Sequence, residues 1–158
     1  MVLKFNLDNL AELQQFAQCF ARSINAPFCC YLKGDLGVGK TTLVQYILKT
    51  LGINELVTSP TFTIVERYTC GFDIFHIDLY RIDSPDELEY TEILEMISSS
   101  SVVFIEWAEN GGNLIPVADI LIEMLFKNKS RQILMTARSS RASKFLTNLL
   151  ENVSKNKS

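Results

Sequence analysis

The sequence predicts an α/β fold of three layers, with a mixed, mainly parallel sheet and one antiparallel hairpin. Three observations predict it. Short apolar runs of strand type are bracketed by stripes of apolar residues at helical spacing. A glycine-rich loop, Gly34-Asp-Leu-Gly-Val-Gly-Lys-Thr41, joins one such run to one such stripe. Two runs rich in β formers meet at a turn, Thr69-Cys70-Gly71. A length of 158 residues, 47% apolar and 21% charged, suits one domain with a sizeable core. That domain is set at residues 1–153, and the polar tail at 154–158 is expected to be disordered.

Each element has a local reason. Val2 to Asn6 is an edge-strand candidate. Asp8 reads as the N-cap of a helix whose stripe is Leu10, Leu13, Phe16, Ala17, Phe20 and Ile24. Phe28 to Leu32 is a short apolar strand. After the glycine-rich loop, Leu43, Val44, Ile47, Leu48 and Leu51 mark a helix that Gly52 stops. Thr61 to Tyr68 and Phe72 to Tyr80 are the arms of the hairpin. Ser84-Pro85-Asp86-Glu87 starts a helix with Ser as N-cap, Pro at N1 and Glu closing a capping box; it is expected to end near Ser98–Ser101. Val102 to Ile105 is an apolar strand running into Glu106-Trp107, and Asn110 to Asn113 is a loop. Ile120 to Phe126 and Gln132 to Ala137 are strands joined by Lys127 to Ser130, and Arg141 to Asn152 is a final helix. No internal repeat and no interdomain linker is visible.

Composition excludes several classes. A net charge of −3 gives no strong positive field for holding nucleic acid nonspecifically. Four cysteines without a C-x-x-C pair, and a single histidine, argue against a zinc site or a disulfide framework. Free thiols fit a reducing cytosol. No apolar run reaches the ~18 residues of a membrane span, and no signal peptide opens the chain. The expectation is a cytoplasmic protein with no membrane association, monomeric when isolated.

The chemistry starts at the loop, which is a complete G-x-x-x-x-G-K-[ST] phosphate-binding motif in strand–loop–helix context. Gly34, Gly37 and Gly39 allow successive backbone N–H groups, Val38 included, to turn toward one anion. The helix start adds its positive dipole end. Lys40 would place its charge on the β- and γ-phosphates, and the Thr41 hydroxyl would ligate Mg²⁺, with Thr42 beside it. Such a P-loop NTPase-like site needs a second carboxylate on the metal side, usually at the end of an adjacent apolar strand. Glu106 fits; the other reading is a strand-end glutamate facing solvent. His76, Asp78 and Tyr80 share one strand face at period two. Asp78 could hold a metal-bound water or orient the attacking one. His76 reads as a hydrogen-bonded structural histidine. Arg81 reaches either a phosphate or a surface ion pair. Thr58-Ser59-Pro60-Thr61 offers hydroxyls on a stiffened loop that could sense a γ-phosphate; a plain turn is the alternative. Asn128-Lys129-Ser130-Arg131 fails the Asn-Lys-x-Asp guanine motif at its last position. The base is therefore adenine, or weakly read.

Taken in order, Gly34 to Thr42, Ser59 to Glu66, His76-Ile-Asp-Leu-Tyr-Arg81, Glu87-Leu-Glu89 and Glu106-Trp107 resemble the TsaE family of bacterial ATPases, over roughly Leu10 to Phe126. The resemblance implies ATP/ADP and Mg²⁺ as ligands. It implies a role in forming threonylcarbamoyladenosine at adenosine 37 of tRNAs that read codons beginning with A. The partners implied are TsaD and TsaB, which carry out the transfer, with tRNA engaged only indirectly. Carried over by position, Gly37 to Thr42 would bind the phosphates, and Thr41 and Glu106 would bind Mg²⁺. Asp78, with Thr61, would serve hydrolysis, and Ser59 to Glu66 would be a switch. Three positions depart from the family pattern: Leu13 for a threonine near the adenine, Glu92 for a glycine, and Ala108 for a proline. Two other readings keep the same loop. One is a small-molecule kinase, which would need an acceptor site and an arginine-rich lid. The other is an ATP-gated binding module that hardly turns over.

Overall fold

In the strand Val102–Glu106 every residue is buried, and successive side chains go to opposite faces: Val102 and Phe104 to one apolar core, Val103 and Ile105 to another. A strand with both faces covered belongs at the centre of a layered fold. The computed structural model describes residues 1–55, 57–97 and 100–156. Its strands are β1 (Val2–Leu7), β2 (Phe28–Lys33), β3 (Val65–Thr69), β4 (Asp73–Asp78), β5 (Val102–Glu106), β6 (Ile120–Lys127) and β7 (Ser130–Ala137). Its helices are α1 (Leu10–Ser23), α2 (Lys40–Thr50), α3 (Ile93–Met96) and α4 (Ser140–Asn156). The strands form one sheet in the order β1-β7-β6-β2-β5-β4-β3. The central block β6-β2-β5-β4 is parallel, and antiparallel pairs close both flanks, as the mixed α/β expectation requires.

The two faces are covered unequally. The larger core joins α1, α2 and α4 to one face, through Phe16, Phe20, Leu43, Ile47, Phe145 and Leu146 among others. The second face is covered over β2, β5 and β4 by thinner material, through Leu79, Leu88, Ile93 and Ile115. The third layer is therefore built from short 3-10 segments, loops and α3 rather than long helices. The expected helix from Ser84 is one of these segments, a 3-10 helix at Pro85–Tyr90. Its start is as expected, with Glu87 Oε1 accepting from the Ser84 N–H at 2.8 Å. It stops because Thr91 leaves helical conformation at φ −111°, and the chain re-enters a helix only at Ile93. The expected end at Ser98–Ser101 falls partly outside the described residues.

Other boundaries moved for local reasons. Asn9, not Asp8, caps α1: Asn9 Oδ1 accepts from the Glu12 N–H at 2.9 Å. The Asn110–Asn113 segment begins inside a 3-10 turn at Ala108–Gly111. The first hairpin arm starts at Val65 instead of Thr61, because residues 60–64 form a tight turn in which the Ile64 N–H donates to Pro60 O at 2.6 Å. Helix α4 continues through Asn156, past the expected helix end at Asn152. Its last turns are tied to α1 by Asn152 Nδ2 to Ser23 Oγ (2.8 Å) and Asn156 Nδ2 to Cys19 Sγ (3.2 Å). No helix among the described residues is long and apolar enough to cross a membrane.

Candidate nucleotide site

Parallel pairing gathers the chemistry at one sheet edge. In register, Asp78 at the end of β4 stands opposite Glu106 at the end of β5, and Glu106 stands opposite Leu32 of β2. The glycine-rich loop leaves from the end of β2 and enters α2. Ligand sites of open α/β sheets form at the carboxyl ends of parallel strands for this reason. His76 and Asp78 share the face of Ile74, which packs into the core that contains α2.

The loop's shape depends on Gly34. It sits at φ +151°, and a Cβ there would stand 2.4 Å from Met124 O of β6. Only glycine lets the loop lie this close to the neighbouring strand. Behind the loop, Arg131 Nε donates to Val38 O at 2.9 Å and braces it from β7. Lys40 is buried; its Nζ donates to Gly34 O (2.6 Å) and Asp35 O (3.1 Å) and lies 5.0 Å from the Trp107 ring centroid. Thr41 Oγ1 donates to Glu106 Oε1 at 2.9 Å. His76 Nε2 meets the same oxygen at 2.8 Å. Thr61 Oγ1 donates to Asp78 Oδ2 at 2.9 Å and pairs with Ser59 Oγ at 2.7 Å. The other Asp78 oxygen accepts from the Tyr80 N–H at 2.9 Å.

A cleft of about 230 Å³ opens between these groups, lined by Leu36, Gly37, Gly39, Lys40, Thr41, Thr42, Ser59, Thr61, Asp78, Glu106 and Trp107. The structure thus brings together Gly37, Gly39, Lys40, Thr41, Thr42, Thr61, Asp78 and Glu106, all singled out from sequence. Gly34 and Val38 do not line the cleft. Gly34 shapes the loop, while the Val38 side chain is buried in the main core. Glu106 is 3% exposed, so the solvent-facing reading of that residue is wrong. Arg81 forms no ion pair among the described residues; its guanidinium lies over the Phe62 ring, 5.0 Å from the centroid. Leu13 is fully buried in the core and takes no part in the cleft.

Three features escaped the sequence. Arg131 had no local signal, because its partner is a backbone carbonyl of a distant loop. Trp107 adopts φ 57°, ψ 42°, a left-handed conformation that is uncommon for a bulky residue. It turns the chain sharply after Glu106, and the ring packs near Lys40 and 5.1 Å from the Tyr80 ring. His76 was read as structural, and its bond to Glu106 was not foreseen. Larger cavities exist, including one of about 490 Å³ beside β1 and α1, but none of the residues around the loop lines it.

The comparisons follow this geometry. A family model described as "Threonylcarbamoyl adenosine biosynthesis protein TsaE" matches residues 7–133. The chain belongs to the TsaE family. Members include the tRNA threonylcarbamoyladenosine biosynthesis protein TsaE of Haemophilus influenzae, 42% identical over 111 residues, or 70% of each chain. The TsaE protein of Bacillus subtilis is 36% identical over 107 residues, covering 67% of this chain and 66% of that one. Among solved structures, that of Bacillus subtilis YdiB aligns with a TM-score of 0.77 at 27% identity, covering 96% of this chain and 95% of the other. The matched residues include every TsaE-like motif named from the sequence, from the phosphate loop to Glu106-Trp107.

The residues fit a Mg²⁺–phosphate group on chemical grounds. Among the described residues no group of three or more His, Cys, Asp and Glu side chains is placed to hold a metal alone. Mg²⁺ does not need one: it is commonly held by a hydroxyl, one or two carboxylates and phosphate oxygens. The buried Glu106 carboxylate bonded to the Thr41 hydroxyl offers the donor types that the protein half of such a set would need.

Proposed function

We propose that this protein is a Mg²⁺-dependent ATPase that acts as an accessory, regulatory factor in threonylcarbamoylation of adenosine in tRNA, working with the TsaD–TsaB transferase. The observation that carries the ATPase reading is the convergence of Lys40, Thr41, Thr61, Asp78 and Glu106 on one cleft at the carboxyl ends of β2, β4 and β5. Membership of the TsaE family supports the pathway.

The cleft's volume supports a phosphate-end site. It is smaller than the ~300–1,000 Å³ of pockets that enclose a whole small molecule. It suits a triphosphate, with the nucleoside toward the open side. Lys40 would exchange its bonds to Gly34 O and Asp35 O for phosphate oxygens. The N–H groups of Gly37 to Thr42 would bind the same chain. Thr41 and Glu106 would hold Mg²⁺, which supplies charge neutralisation at the β- and γ-phosphates. Asp78 would accept a hydrogen bond from water and orient it toward the γ-phosphorus. The water oxygen would bond to that phosphorus as its bond to the β–γ bridging oxygen breaks, the water's proton passing to the released phosphate or to solvent, with ADP as leaving group. Thr61, which donates to Asp78, would turn toward the γ-phosphate and so report its presence.

A kinase lid finds no support: among the described residues lining the cleft, Lys40 is the only cation. The test is steady-state hydrolysis of ATP by the protein alone and with TsaD–TsaB added. Strong stimulation is expected. Phosphate transfer to a small acceptor would favour a kinase, and tight ATP binding with no turnover in either condition would favour a binding module.

A further inference from the structure

His76 is wholly buried on β4, and its Nε2 lies 2.8 Å from Glu106 Oε1. A carboxylate oxygen only accepts, so Nε2 carries the hydrogen. On the other side of the ring, Nδ1 is buried with no hydrogen-bond partner among the described residues. Burying a polar atom unpaired is costly. An apolar side chain of similar size would fill the same space without that cost. The cost is explained if the imidazole is there for what Nε2 does.

Glu106 Oε1 has two donors, and they are not equivalent. Thr41 belongs to the loop and α2 start that must rearrange around a phosphate. His76 sits in the interior of a buried strand paired to β5, one pleat below Asp78. Its hold on Oε1 does not depend on the loop. A glutamate has three side-chain torsions, and fixing them before the ligand arrives removes an entropy cost from binding.

We propose that His76 is a positioning residue for the metal side of the site, holding the Glu106 carboxylate in the orientation that receives Mg²⁺. This inverts the common arrangement in which a carboxylate orients a metal-bound histidine; here the histidine orients the carboxylate. The inference rests on the reading of Glu106 as a Mg²⁺ ligand.

The experiment is calorimetric titration of Mg²⁺ into the full-length protein saturated with ADP, with no turnover required. His76→Leu removes the donor and keeps the volume. It is expected to weaken Mg²⁺ binding about 10- to 100-fold, while ADP affinity in chelator stays at the parental value. His76→Gln, whose amide reaches the same oxygen, is expected to recover most of the loss. Adding His76→Leu to Glu106→Gln should weaken Mg²⁺ no further than Glu106→Gln alone. If Glu106→Gln lowers Mg²⁺ affinity but folded His76→Leu stays within about threefold of the parent, the inference is overturned and the metal site stands. If neither variant changes Mg²⁺ affinity, the metal reading itself fails and takes the inference with it. Should His76→Leu not fold, His76→Asn replaces it. The shorter amide cannot reach Glu106, so Asn should bind Mg²⁺ more weakly than Gln, and equal affinities would overturn the proposal.

Discussion

Lys40 Nζ lies 5.0 Å from the centroid of the Trp107 ring while donating to two carbonyls of its own loop. The lysine of the glycine-rich loop is thus held by its own backbone, beside the only tryptophan of the chain. On the proposed ATPase reading, phosphate would take over those bonds, and the indole stands beside them.

The first prediction concerns that charge. Lys40→Ala removes the cation that would face the β- and γ-phosphates, and charged hydrogen bonds of this kind contribute about 1.5–3 kcal/mol each. ATP affinity should fall by at least about tenfold, with a cooperative thermal transition retained. Calorimetry and a melting curve check both halves. Parental ATP affinity would remove the phosphate-loop assignment.

The second follows from the ring. Trp107 fluorescence should change on nucleotide binding, because Lys40 leaves the indole face. The signal should differ between ADP and an unhydrolysable ATP analogue, since only a γ-phosphate can draw Thr61 away from Asp78. Titration with each nucleotide, with and without Mg²⁺, tests it. Identical signals at saturation would argue against a γ-phosphate switch.

Glu106→Gln should shift the Mg²⁺ dependence of hydrolysis to higher concentration, because a charged oxygen ligand becomes neutral. High Mg²⁺ should restore part of the activity. The amide keeps one oxygen able to accept from Thr41 and His76, so the fold should survive. An unchanged Mg²⁺ dependence would leave Glu106 a structural residue.

Two glycines of the loop should behave differently. Gly34→Ala puts a Cβ 2.4 Å from Met124 O, a backbone atom that cannot step aside. Gly37→Ala meets nothing within 4 Å and carries only the strain of φ +79°. The second should cost about 1–2 kcal/mol, the first clearly more, with the loop displaced. Denaturation midpoints of the two variants decide it, and equal losses would contradict the close approach to β6.

Thiol chemistry gives a test of burial. Desolvation, with Asp119 nearby, pushes the Cys29 thiol up to about 12, and Cys30 is raised well above its ordinary range by the same cause. Thiolates are the reactive form, so at pH 8 both should resist alkylation. Cys70 is raised by burial as well, but it is only partly covered. Mass spectrometry of the native protein treated with iodoacetamide should find Cys70 modified first. Early labelling of Cys29 or Cys30 would mean that β2 is less protected than its place in the sheet implies.

Local signals carried much of the fold. The strand at β5, the β6–β7 pair, and helices α1 and α2 follow from apolar period and from Gly52, because each signal lies within the element it describes. Some boundaries moved for local reasons, as at the Asn9 cap, and others through a contact from elsewhere, as at Thr61 and the end of α4. Residues 61–64 have strand composition, yet Thr61 is held by Asp78 and the chain turns, with Ile64 at φ 66°. The Ser84 start is correct in detail, but a capping box cannot say whether three or four residues per turn will follow.

What the sequence determined by itself was the phosphate-loop motif and its place between a strand and a helix, since eight consecutive residues carry that motif. It also marked Glu106, which ends an apolar run, and Asp78, which shares a strand face with His76 and Tyr80 at period two. What only the tertiary structure decided was their convergence: parallel register sets Asp78 against Glu106, and no spacing in the chain encodes which strands are neighbours. The same holds for His76 on Glu106, 30 residues apart, and Arg131 on the Val38 carbonyl, 93 apart. A hydrogen bond needs two partners within about 3 Å. Residue type names only one of them, and the fold supplies the other.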